Sequence, residues 1–475
     1  MSYIDSKTDN KEHKLELTSE SAWEHLEEGT KEEVFHFAEG YKRYLSEAKT
    51  EREAVQVALE IARNSGFVPL SALPAGVGFS PGSRFYLEWR GKVLLLGVVG
   101  NNDLETGVRL VGAHTDAPRI DLKPTPLYEK AALAMFKTHY YGGIKKYQWT
   151  ALPLALHGVV VLPNGRRVEI KIGEDSKDPV FTISDLLPHL AKEQLKKKLE
   201  EAVSGDDLNL VVGSMPLAGE GEQKNKARLA ILKLLHERYG MTEEDFITAE
   251  LELVPAGPAR DLGFDRSLVG GYGQDDRVCV YTALQAIREI QRPEHTALVL
   301  LVDKEEIGST GNTGAQSRFL AYALAELAAR SGNADYLRVS RIMANSQAIS
   351  ADVTAALDPT YENVFDLYNA SLLGHGVVLN KYSGSRGKYD ANDASAEFMG
   401  RLRDVFNSNQ VIWQSGELGK VDAGGGGTIA KYLAYFGLEV ADCGPPLLSM
   451  HAPLEIASKV DIYMSYRGYK AFLGS

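Results

Sequence analysis

Two hydrophobic periods take turns along this chain. Apolar residues recur at helical spacing over residues 21–62, and Thr30-Lys31-Glu32-Glu33 reads as a capping box opening the second of two helical segments. Strand-like apolar runs follow at residues 85–89, 93–99 and 108–113, the last of them delivering His114 at its end. From about residue 121 to residue 258 the texture changes to short alternating segments marked by proline, such as 155–162 and 167–172, with a charged helix expected over 185–202. Beyond residue 265 helix and strand patterns alternate. Helix 278–290 is followed by an unbroken apolar strand at 296–302 and by helix 316–330. Then come a short segment at 341–343, helix 394–406, strand 411–413, helix 428–436, strand 438–441 and a closing helix after Pro453.

Alternation of this kind predicts an α/β fold, with a mainly parallel sheet covered by helices on both faces. A chain of 475 residues exceeds the size of one ordinary core, which predicts two domains. Residues 1–120 and 259–475 form one discontinuous domain in this reading, and residues 121–258 an inserted β-rich one. In such sheets ligands gather at the strand ends.

Composition narrows the choice of partner. With 44% hydrophobic and 24% charged residues the chain is ordinary for a folded protein, and a net charge of −12 argues against nucleic acid. The best basic cluster, residues 192–198, alternates with Glu193 and Leu195 and reads as a solvated helix face. Only Cys279 and Cys443 are present, which suits a reducing compartment. The polar start over residues 1–14 lacks an export-type apolar region, and no apolar run reaches the ~18 residues of a membrane span. The expectation is a cytoplasmic protein with no membrane partner.

Five patches carry the chemistry: His114-Thr115-Asp116, Asp275-Asp276, Glu305-Glu306, Asp352 and His451. His114 and Asp116 point to one side of an extended segment, so the carboxylate can orient the imidazole. Asp275 and Asp276 follow a glycine-rich turn before a helix, where acids also serve as caps. Glu305 and Glu306 follow a buried strand, where one carboxylate can bind metal while its neighbour acts as base. Two imidazoles and three carboxylates, one shared, are what two Zn2+ ions about 3.5 Å apart require; Co2+ and Mn2+ accept the same set. The chain has no Walker loop, dinucleotide fingerprint or His-Glu-x-x-His motif.

From Gly112-Ala113-His114-Thr115-Asp116-Ala117-Pro118 to Met450-His451, the motifs resemble those of the aminopeptidase I, or M18, family of two-zinc exopeptidases. The resemblance implies that Asp275 bridges two zinc ions, that His114 and Asp352 complete one site, and that Glu306 and His451 complete the other. Glu305 becomes the general base and Asp116 the orienter of His114. His157 resembles a residue that reaches a neighbouring subunit's site to stabilise the oxyanion. The substrates implied are peptides, and the assembly is a homo-oligomer, with dimers formed through the inserted domain and built into a tetrahedral dodecamer. Lys381, Lys388 and Tyr389 fall in the segment that shapes the substrate pocket. Lys381 and Tyr389 lie one residue further apart than in the acid-selective branch, and Asp276 stands where that branch has Asn. Acidic and neutral or broad preferences therefore both stay open. A two-zinc amidohydrolase of N-acylated amino acids is the competing enzymatic reading, and a non-catalytic self-assembling shell protein with a vestigial site is the competing reading of another kind.

Overall fold

The computed structural model describes residues 20–73, 80–218 and 224–475; the polar start at residues 1–14 lies outside them. The chain divides into two compact units. One comprises the residues up to Asp116, Ala259–Met450 and Glu455–Ser475; the other comprises Ala117–Pro258 and His451–Leu454.

The first unit is built on a nine-stranded sheet. Its strands in chain order are β1 Val68–Pro69, β2 Arg84–Trp89, β3 Val93–Val98, β4 Arg109–His114, β5 Ala297–Val302, β6 Gln347–Ser350, β7 Val377–Asn380, β8 Trp413–Ser415 and β9 Glu439–Gly444, and across the sheet they run β1-β2-β3-β5-β4-β6-β9-β7-β8. The four central strands β5, β4, β6 and β9 are parallel. β3 pairs antiparallel with β2 and β5, and β7 antiparallel with β9. The sheet is therefore mixed, with a parallel centre.

The helices of this unit are α1 Glu28–Glu47, α2 Glu51–Asn64, α3 Gln274–Glu289, α4 Phe319–Arg330, α5 Tyr336–Ala344, α6 Ala396–Ser408, α7 Ala430–Tyr435 and α8 Lys459–Leu473. Successive strand residues face opposite ways, so apolar runs on β3, β4 and β5 feed two cores. Leu94, Leu96, Val111, Ala113, Val299 and Leu301 pack with α1, α2, α3, α6 and α8. Leu95, Leu110, Leu298 and Leu300 pack with α4, α5 and α7. A five-stranded sheet in the same unit runs Arg260–Leu262, Leu268–Gly271, Glu455–Ser458, Pro446–Leu448, Thr354–Ala355.

The second unit carries a seven-stranded antiparallel sheet, ordered Arg167–Ile172, Leu154–Val161, Ala249–Pro255, Arg119–Lys130, Leu133–Tyr141, Leu210–Gly213, Thr182–Ile183.

Three local expectations are corrected. The capping box forms at Thr50 and Glu53, which open α2, whereas Thr30 lies inside α1. Both places read Thr-x-x-Glu, but only at Thr50 does the preceding backbone leave the helix. Residues 341–343 belong to α5, and the strand comes after it, at β6. The helix expected over 185–202 shrinks to a 3-10 turn at Gln194–Lys196 and one α turn at Leu199–Ala202, so residues 192–198 form no helix face. Leu186, Leu187, Leu190, Leu195 and Leu199 are all exposed there, so no buried apolar face holds a longer helix together.

Candidate metal centre

β4 ends on His114, which is buried at the C-terminal edge of the parallel centre. Its Nδ1–H donates to the Asp116 carbonyl oxygen at 3.0 Å, with Asp116 Oδ1 at 3.3 Å, and its Nε2 lies 3.2 Å from Asp275 Oδ1 and 3.8 Å from Asp352 Oδ1. Engaging Nδ1 in this way sets the tautomer and turns Nε2 toward the carboxylates. The Asp116 carboxylate also accepts the backbone N–H groups of Glu305 at 3.1 Å and Glu306 at 3.2 Å.

Glu305 and Glu306 stand on a 3-10 turn after β5, entered at Lys304 and left at Gly308, both at positive φ. Asp303, the residue after β5's turnout, accepts from the Thr313 hydroxyl at 2.8 Å and faces Lys304 Nζ at 3.2 Å, so the loop carrying the two glutamates is closed on itself. Asp275 and Asp276 open α3 with non-helical dihedrals after Gly273 at positive φ. The Asp275 N–H donates to Glu455 Oε2 at 3.2 Å, and the Asp276 Oδ2 accepts the His114 N–H at 3.2 Å. Glu455 is buried and paired in register with Gly271; sequence patterning does not single it out. Asp352 follows β6, where a side chain at Gly444 would come within 2.1 Å of its carbonyl oxygen. Only glycine admits that approach of β9.

Two overlapping donor groups result: His114 with Asp275 and Glu306, and His114 with Asp276 and Asp352, the atoms of each group within 4.8 Å of one another. Burial raises the Asp276 and Asp352 carboxyls well above the usual range. For Asp352 the charges of Asp276, Asp275 and Glu305 add to this, against His114. Burial works against a proton on His114, but hydrogen bonds to Asp116 and Asp275 raise its pKa well above the ordinary value. Oxygen and imidazole donors crowded together in a buried site, with one Asp276 oxygen lacking any hydrogen-bond partner, suit a hard or borderline divalent cation.

The other sequence candidates have definite places. His451 opens the short segment assigned to the second unit, at φ 64°, and its Nδ1–H donates to the Gly143 carbonyl at 2.9 Å. His157 lies on Leu154–Val161, 0% exposed, with Nε2 3.1 Å from Glu174 Oε1. Lys381 and Lys388 both bind Asp393, at 2.7 and 3.2 Å, and the Lys388 ammonium also sits over the Tyr382 ring. Tyr389 is exposed, its backbone bridged to Ser385. Thr428 donates to buried Asp442 at 2.6 Å, on the strand beside the one that leads to Asp352.

A mixed α/β core that gathers a buried imidazole and several carboxylates at one sheet edge defines a metallohydrolase. Residues 44–473 match the family model described as aminopeptidase I zinc metalloprotease (M18). A probable M18 family aminopeptidase 1 of Clostridium acetobutylicum is 49% identical, over 96% of this chain and 98% of that one. The crystal structure of an M18 family aminopeptidase from Thermotoga maritima superposes with a TM-score of 0.91 at 47% identity, covering 96% of this chain and 99% of that one. The yeast mApe1 dodecamer shares the fold, with a TM-score of 0.73 at 21% identity over 92% of this chain and 95% of that one. The chain belongs to the M18 family of metallo-aminopeptidases. No helix among the described residues is long and apolar enough to cross a membrane.

Proposed function

We propose that this aminopeptidase removes the N-terminal residue of peptides at a two-zinc centre, with Glu305 as general base. Asp275 is the shared ligand in this reading, with His114 and Asp352 on one ion and Glu306 and His451 on the other. The observation that supports the proposal is the gathering of His114, Asp275, Asp276, Glu306 and Asp352 into two overlapping donor groups at the sheet edge; the assignment of Asp275 as shared ligand and of His451 to the second ion follows the family resemblance. When bound, the cations supply polarisation of the scissile carbonyl and acidify the attacking water.

Glu305 takes the proton from that water and passes it to the departing amine. Its turn is held by Asp116, which also fixes His114, so the base and the first imidazole keep their relative placement through one carboxylate. The substrate's free α-amine is recognised by the surrounding carboxylates, which favour a cationic terminus over an acylated one. Because Lys381 and Lys388 are already bound to Asp393, their charges are partly spent, and this supports a neutral or broad preference. The likeness to the mApe1 dodecamer supports a homo-oligomer, and we place its dimer contacts in residues 121–258 and the protein in the cytoplasm.

The test is a panel of aminoacyl chromogenic amides and their N-acetylated counterparts, assayed on metal-stripped full-length protein with Zn2+, Co2+ or Mn2+ restored. Cleavage of the free-amine substrates only, and only after metal is restored, is expected. Preferential cleavage of the acylated set, or activity indifferent to chelation, overturns the proposal.

A further inference from the structure

We infer that Asp276 is a positioning residue of the metal centre: one carboxylate oxygen holds the His114 backbone, while the charge of the other draws a divalent cation to the donors around it. The inference rests on the two-metal reading, in which Asp275, not Asp276, is the shared ligand.

Three observations converge. Asp276 is 0% exposed, on the first turn of α3. Its Oδ2 accepts the His114 N–H at 3.2 Å, which ties the end of β4 to the start of α3. Its Oδ1 is buried with no hydrogen-bond partner, although the carboxylate belongs with His114 and Asp352 to a group whose donor atoms lie within 4.8 Å of one another. The Cys279 thiol, one turn along α3, is its other hydrogen-bonding neighbour and, being neutral, balances none of its charge.

A buried carboxylate oxygen with nothing to accept carries the full cost of leaving water. If Asp276 served only to accept the His114 N–H, the amide oxygen of asparagine would do as well without that cost. The charge is accounted for if its partner is a cation in the adjoining donor group, since charges interact strongly in a buried site. Asp276 thus acts on the ion through field and through His114, as residues behind a ligand commonly do.

Asparagine separates the two roles because it keeps an acceptor oxygen and drops the charge. The experiment uses full-length wild-type and Asp276→Asn protein, stripped of metal and titrated with Zn2+ against a competing chelator, with thermal unfolding of the metal-free and loaded forms. Expected are zinc affinity weakened about 10- to 100-fold, a metal-free variant at least as stable as the wild type, and a smaller zinc-induced rise in Tm. In the Co2+-substituted variant, the visible spectrum should move while kcat per loaded enzyme changes much less than affinity. Unchanged zinc affinity overturns the inference and leaves the two-metal reading standing. A metal-free variant that melts well below the wild type marks a purely structural acceptor and overturns it too. A wild-type protein that takes up no divalent cation removes both readings.

Discussion

Asp116 Oδ1 accepts the Glu305 backbone N–H at 3.1 Å. The same oxygen lies 3.3 Å from His114 Nδ1, and Oδ2 accepts the Glu306 N–H at 3.2 Å, so one side chain serves two strand ends. Asp116→Asn turns an amide donor toward a group that is itself a donor. Peptidase activity should fall about 10- to 100-fold, with zinc affinity falling alongside it. Steady-state kinetics paired with metal analysis check this; a variant with wild-type kinetics would show that the turn is held by other contacts.

Glu305→Gln keeps the size of the side chain and removes its basicity. We expect kcat to fall by about 10²- to 10⁴-fold, with KM little changed and two metal equivalents still bound. Retained peptidase activity in a fully loaded variant would remove Glu305 from the role of base.

Asp393 neutralises Lys381 at 2.7 Å and Lys388 at 3.2 Å. Asp393→Asn releases two ammonium groups in the segment assigned to the substrate pocket. The ratio of kcat/KM for glutamyl over leucyl substrates should rise about 2- to 5-fold, the scale of exposed ion pairs. An unchanged ratio would place both lysines outside the pocket.

Burial raises the Asp442 carboxyl to about 6 from 3.8, against hydrogen bonds from Thr428, Ser350 and Ser383. The folded state therefore keeps this proton longer than the unfolded chain does. Its contribution is whole below about pH 4 and lost as pH rises past about 6, a swing of roughly 3 kcal/mol. Asp442→Asn should flatten that part of the pH dependence, read as the difference in urea stability of metal-free protein between about pH 4.5 and about pH 7. An identical slope in the variant would show that Asp442 does not titrate in this range.

The strands around the centre were legible because burial on both faces leaves continuous apolar runs, as at β3, β4 and β5. His114, Asp275, Asp276, Glu306 and Asp352, which the fold brings into two overlapping donor groups, were legible because acids and histidines near the ends of such runs stand out from the apolar pattern. What local pattern could not convey was long-range. Glu455 meets the Asp275 N–H only through the register of the small sheet, and Asp276 meets the His114 N–H only once α3 docks against β4. Residues 185–202 misled because charge alternation suggests a helix even where no apolar surface waits to receive one.

The strand order of the nine-stranded sheet has a consequence for how the protein is made. Its parallel centre draws together β4, β5, β6 and β9, and the core face bearing Val111 and Ala113 is covered in part by α8, Lys459–Leu473. During synthesis, His114 and Asp116 emerge hundreds of residues before the helix that seals the layer beneath them. Closure over such separations is slow and leaves sticky intermediates exposed. A chain halted before residue 459 would carry every residue assigned to the proposed metal centre and still lack one of the helices that cover the sheet beneath it.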